Sequence, residues 1–166
     1  MSYLIGIPFL AILAVLQSSL LSHLHMLDGR PDLVPLAVIA WALTGRWREA
    51  MIWGLAGGLL LDLFSGLPFG VSAITLIIVA YLVTLFEGRF WEAHLLMPLA
   101  VTLACSILYH LVILATVVIS GRKVDFVMAI VRVILPSTFL NLLLALPATS
   151  LAASLRRVLY PPEVEI

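Results

Sequence analysis

The sequence predicts an all-α integral membrane protein: a six-helix transmembrane bundle with both termini in the cytoplasm. Composition is the first reason. Of 166 residues, 63% are apolar and 11% charged, with a mean hydropathy of +1.20, whereas a soluble domain carries about 25% charged residues. Polar surface is too scarce to coat a globule in water, so the solvent is lipid. The second reason is punctuation: apolar runs approaching the roughly 20 residues of a membrane crossing recur six times. The third is that the loops are short, which makes residues 1–166 a single polytopic membrane domain.

The first helix is expected over residues 3–22, in "MSYLIGIPFLAILAVLQSSLL". Its apolar run exceeds a signal-peptide core and lacks a cationic leader, so it reads as a retained span. The second, over 32–44, is short for a full crossing; it either begins within the interface or is supported by neighbours. The third follows the basic turn "TGRWR" over 49–65. The fourth covers 69–85, the fifth 95–119 and the sixth 126–155, with Pro136 and Pro147 inside it. Membrane helices tolerate proline because neighbours re-satisfy the freed carbonyls, at the cost of a kink.

Orientation follows from loop charge. With the N-terminus inside, Arg46, Arg48, Arg89, Arg156 and Arg157 fall on the cytoplasmic side, against Arg30, Arg122 and Lys123 outside. The positive-inside bias therefore places both termini in the cytoplasm, and Trp47, Trp53, Trp91 and Tyr160 fit an aromatic belt at the inner ends. Basic and acidic residues balance at nine each, so nucleic acid binding has no electrostatic basis. The single cysteine, Cys105, lies in an apolar run and reads as a packing residue.

The stretch "GLAGGLLLDLFSGLPFG" raises the sharpest questions. Ala50, Gly54 and Gly58 recur every four residues, a small-residue ridge along which another helix can approach closely. It serves either packing within the bundle or docking of a partner's helix. Asp62 is a carboxylate at membrane depth, which calls for an interior partner. Arg132 on the sixth helix has matching depth and opposite charge, so the two are expected to pair, directly or through water. The competing reading has each snorkel separately to the headgroups.

On the fifth helix Thr102, Cys105, Ser106, Tyr109 and His110 share one polar stripe, with Thr116 beyond it, and Ser137, Thr138 and Asn141 form a shorter one on the sixth. Hydrogen bonds between the two stripes are the simple expectation; a solute path or proton relay through His110 is the alternative. His23 and His25 are too few for a metal site. No HExxH, Ser/His/Asp grouping, paired carboxylates or phosphate-cradling loop occurs in the sequence, so neither enzymatic activity nor a cofactor is expected.

The order of motifs resembles the MreD family of bacterial rod shape-determining membrane proteins. The match runs over roughly residues 16–75: "LQSSLL", then Pro31, Asp32 and Leu33 opening the second helix. A glycine-spaced third helix follows, closing on Gly58-Leu59-Leu60-Leu61-Asp62, and then Phe69 and Gly70 open the next. Leu55 stands where the family often has phenylalanine. The resemblance implies a non-enzymatic scaffold in the bacterial inner membrane that binds MreC, a single-span protein with a large extracytoplasmic domain. It would help couple the MreB cytoskeleton and the elongation glycan polymerase and transpeptidase pair to peptidoglycan synthesis and rod shape. The hydropathy plan is also similar to the substrate-binding membrane subunits of energy-coupling-factor vitamin transporters. That likeness makes a solute-binding transporter subunit the competing function.

Overall fold

A computed structural model describes residues 2–19, 28–85 and 96–161. His23, His25, Arg89 and Trp91 lie outside the described residues. The described chain is all helical, in six helices: α1 (Ser2–Ser19), α2 (Leu33–Ala42), α3 (Trp47–Phe64), α4 (Val71–Thr84), α5 (Leu96–Ile119) and α6 (Phe126–Leu159). Two of these, α5 and α6, are long and apolar enough to cross a membrane.

The exterior is as apolar as the composition requires. Leu63, Phe69, Ile74, Leu96, Leu143 and Leu151 all point outward, an arrangement that suits lipid and would be unstable in water. Polar side chains, including Asp32, Asp62, Ser106, His110 and Asn141, are buried inside.

The centre of the bundle is α2. Its ten residues reach about 15 Å, half the thickness of a bilayer's hydrocarbon core. Instead of crossing, it is enclosed: it touches each of the other five helices, and eight of its residues are buried. Trp41 at its end stacks on Trp53 of α3, with ring centroids 4.5 Å apart and planes 7° from parallel. Trp53 is 2% exposed and so belongs to the core, not to an interfacial belt; Trp47, one turn and a half earlier, is the exposed one.

Helix α3 is wedged between α4 on one side and α1 and α2 on the other, and its glycines set the spacing. A Cβ at Gly54 would stand 3.0 Å from the Leu76 carbonyl carbon, and one at Gly58 would strike the Ala73 backbone. On the adjacent face a Cβ at Gly57 would meet Val34 Cγ1 at 2.7 Å. Gly54 and Gly58 therefore lie against α4 and Ala50 is buried in the core, so of the two readings of this ridge it is packing within the bundle, and not a groove open to a partner, that the structure has. Missing side chains gain backbone contact here, the term that drives helix association in lipid.

Helix α6 carries the proline effect. Pro136 has no N–H to offer the carbonyl of Arg132 four residues earlier. The preceding segment, Ala129–Ile134, is wound as a π-helix, and the Arg132 carbonyl instead accepts from the Asp28 N–H at 3.1 Å. The start of α6 is capped by Asp125, whose Oδ1 accepts from the N–H groups of Val127 and Met128.

Gly58→Leu is expected to lower stability by more than the 1–3 kcal/mol typical of overpacking, because the clash is with backbone. Gly66→Ala, whose Cβ would meet only the flexible Arg122 guanidinium at 3.7 Å, is expected to be neutral. Thermal denaturation of both variants in detergent, followed by tryptophan fluorescence, checks the pair.

Candidate functional site

Because α2 starts inside the bundle, the irregular segment leading into it brings backbone N–H groups to a depth where water is scarce. Unpaired, each would cost several kcal/mol in hydrocarbon. Side chains from two other helices meet them. Arg30 N–H donates to Ser137 Oγ at 3.0 Å, Asp32 N–H to Asn141 Oδ1 at 2.8 Å, and Val34 N–H to Gln17 Oε1 at 3.1 Å. Pro31 has no N–H to satisfy, and Leu33 is half-buried. The segment lies close on α6: a Cβ at Gly29 would stand 2.6 Å from Pro136 Cβ.

The Asp32 side chain completes the arrangement. Its Oδ2 accepts from Asn141 Nδ2 at 3.0 Å and lies 3.2 Å from His110 Nε2. His110 Nδ1 is 2.8 Å from the Ser106 carbonyl, and Asn141 Nδ2 also reaches Ser106 Oγ at 3.3 Å. The tyrosine ring of Tyr109 meets the His110 ring edge-on, centroids 5.7 Å apart. The structure thus joins the two polar stripes at Ser106 and Asn141, and places Asp32 between them as their shared target. Periodicity showed the stripes but not that target, since Asp32 and Asn141 are 109 positions apart. Thr102 and Thr138 are buried with no hydrogen-bond partner among the described residues, and Cys105 packs into the apolar core. Thr116 bonds the Val112 carbonyl of its own helix.

Asp62 does not pair with Arg132. Its carboxylate accepts from three backbone N–H groups at the start of the next helix: Gly70, just before α4, at 2.8 Å, then Ser72 at 3.0 Å and Ala73 at 3.4 Å. Positioned in the last turn of α3, it caps the N-terminus of α4, where free amides and the helix dipole both favour an anion. Gly70, at φ 99°, takes the left-handed turn that folds α4 back over that carboxylate. Arg132 is exposed, among outward-facing Val131 and Val133, so the expectation of an Asp62–Arg132 ion pair is corrected. Matched depth and opposite charge did not outweigh three amides a short loop away.

A second polar grouping lies at the opposite end and was not legible as such. Glu49 Oε1 receives Arg46 Nη2 at 2.7 Å and the Tyr160 hydroxyl at 2.7 Å, while the Arg46 guanidinium stacks 3.2 Å above the Tyr160 ring. The grouping ties the end of α6 to the α2–α3 turn, a cation–π and charge-assisted contact combined.

Chemically, these groups satisfy one another. Among the described residues no three His, Cys, Asp or Glu side chains gather as a metal site would need. Most donors and acceptors around Asp32 are spent on holding helices together, which is anchorage.

Asn141→Ala is expected to cost about 1–3 kcal/mol for each buried group it leaves bare, namely the Asp32 N–H and carboxylate. Asp62→Ala is expected to cost about 2–3 kcal/mol through loss of a charged acceptor and helix cap. Arg132→Gln, at an exposed position, is expected to stay within about 0.5 kcal/mol. Unfolding of each variant in mixed detergent–SDS micelles measures these differences; an Arg132→Gln loss as large as that of Asp62→Ala would contradict the assignment.

No curated protein and no solved structure matches the chain, and the expected resemblance to energy-coupling-factor subunits finds no support there. The family model described as rod shape-determining protein MreD matches residues 1–154, nearly the whole chain. It takes in the Pro31-Asp32-Leu33 lead-in, the glycine-spaced α3, Asp62 and Gly70. It also takes in the fifth- and sixth-helix residues that hold Asp32. The chain belongs to the MreD family, and its role lies in rod shape determination.

Proposed function

We propose that this protein is a non-enzymatic, multi-pass scaffold of the bacterial inner membrane. In this reading it binds MreC and helps link the MreB cytoskeleton to the glycan polymerase and transpeptidase of lateral wall synthesis. The observation that carries the scaffold reading is the internal pairing of the buried carboxylates. Asp62 is committed to three amides and Asp32 to Asn141 and His110, so the polar interior fastens helices. With the glycine ridge covered by α4, docking falls to the outward surfaces.

The end bearing Asp32 and Asp62 suits that task best. The segment before α2, the α3–α4 loop and the α5–α6 loop converge there, the last two joined by Arg122 Nη2 donating to the Gly66 carbonyl at 3.0 Å. Leu63, Phe64 and Phe69 project outward beside it, giving a membrane-embedded partner apolar contacts at the rim of a rigid frame. In this reading the positive-inside bias of the loops puts this end on the outer side, where the extracytoplasmic part of MreC would begin.

Affinity purification of the tagged chain from native membranes tests the proposal. An MreC-like bitopic protein is expected to co-purify. Phe69→Ser is expected to reduce its recovery several-fold at unchanged expression, whereas Leu143→Ser, on another face, is not. Recovery of an ATPase-coupled module in place of MreC would overturn the scaffold reading in favour of a transporter subunit.

A further inference from the structure

The hydrogen-bond roles around Asp32 are over-determined. Asn141 cannot be flipped: its Oδ1 takes the Asp32 N–H at 2.8 Å, which turns Nδ2 toward Asp32 Oδ2 at 3.0 Å as a donor. His110 Nδ1 faces the Ser106 carbonyl at 2.8 Å, and a carbonyl oxygen only accepts, so Nδ1 carries a hydrogen. That leaves Nε2, 3.2 Å from Asp32 Oδ2. In a neutral imidazole with its hydrogen on Nδ1, Nε2 presents a lone pair to an ionised carboxylate. Two acceptors facing each other in a buried site are repulsive and unsatisfied. One further proton, on either atom, converts the contact into a hydrogen bond.

We propose that Asp32 and His110 form a buried proton-binding site, whose single bridging proton fastens the start of α2 to α5, beside the Asn141 contact that ties it to α6. Loss of that proton loosens this end of the bundle. The site is internal to three helices: Asp32 opens α2, His110 and Ser106 belong to α5, and Asn141 belongs to α6. The surrounding titratable and charged groups do not substitute for the proton. From α3 comes Asp62, already held by the amides of α4. From α5 come Tyr109, edge-on to the His110 ring, and Cys105, buried in the apolar core. Helix α1 contributes the neutral Gln17, and α4 contributes Ser72 and Thr75. Asp28, Arg30 and Arg132 are exposed.

The sign of the pH effect follows from proton counting. In the unfolded chain His titrates near 6.5 and Asp near 3.9, so above about pH 7 the unfolded pair holds no proton while the folded pair holds one. Stability then falls as pH rises, by up to about tenfold in the folding equilibrium per pH unit, until the native site releases its proton.

Thermal unfolding of the purified full-length chain in detergent, followed by tryptophan fluorescence from pH 6 to 9, tests this. The wild type is expected to hold its melting temperature near pH 6 and to lose it progressively above about pH 7. His110→Gln and Asp32→Asn are each expected to flatten the profile. A flat wild-type profile, or a slope that persists in both variants, overturns the proposal. If either variant does not fold, nitrogen NMR of histidine-labelled wild type at pH 8 decides alone. A His110 Nε2 that is protonated or hydrogen-bonded to a protonated carboxyl is expected, and a bare Nε2 beside an ionised Asp32 overturns it.

Discussion

The structure depends on one constraint: backbone N–H and C=O groups at membrane depth need protein partners when water is absent. Helix α2 makes that constraint acute. At ten residues it is too short to carry its own termini to the interfaces, so its lead-in descends among the other helices as irregular backbone. Gln17, Ser137 and Asn141 meet three of the exposed amides, and the π-wound start of α6 supplies a carbonyl for a fourth. The polar stripe on α6 and the proline within it thus serve the same purpose. Pro136 frees a carbonyl that Asp28 uses, and Ser137 and Asn141 follow on the next turns.

The same logic recurs at α4, with a different solution. This helix also begins inside the bundle, and a single carboxylate from the preceding helix serves three of its first amides. A carboxylate is costly in hydrocarbon, but its acceptor capacity and charge match a helix N-terminus. The glycines of α3 are part of this device. They let α4 lie close enough, against Gly54 and Gly58, for the Asp62 side chain to reach its amides. Close packing and polar satisfaction are one arrangement, and removing either strains the other.

Much of this was legible in residue order. The paucity of charge, the six apolar runs and the family motifs around Pro31–Asp32 and Asp62 are local properties. So is the burial of α5 and α6 polar residues on common faces. Other features were not local. Trp53 reads as interfacial from its place near a basic turn, yet it stacks on Trp41 in the core. Glu49 opens the third helix expected from the sequence, and it is buried under Arg46 and Tyr160, the latter 111 positions away.

Sequence alone determined the all-helical class, the six helices of the described residues and the family, because hydropathy and periodicity report what each segment needs from its surroundings. It also showed that Asp62, His110 and Asn141 would need partners. Only the tertiary structure decided who those partners are. For Asp62 residue order offered a guanidinium on α6 or the headgroups, and the amides of α4 were in neither reading. The short Ser65–Gly70 connection and the glycine-spaced contact put the amides within 3.4 Å, while Arg132 turned outward. Asp32 likewise acquired its histidine and asparagine only when α2 was drawn to the centre of the bundle. Which group satisfies a buried charge depends on which helix faces meet, and that is set by packing and not by the order of residues.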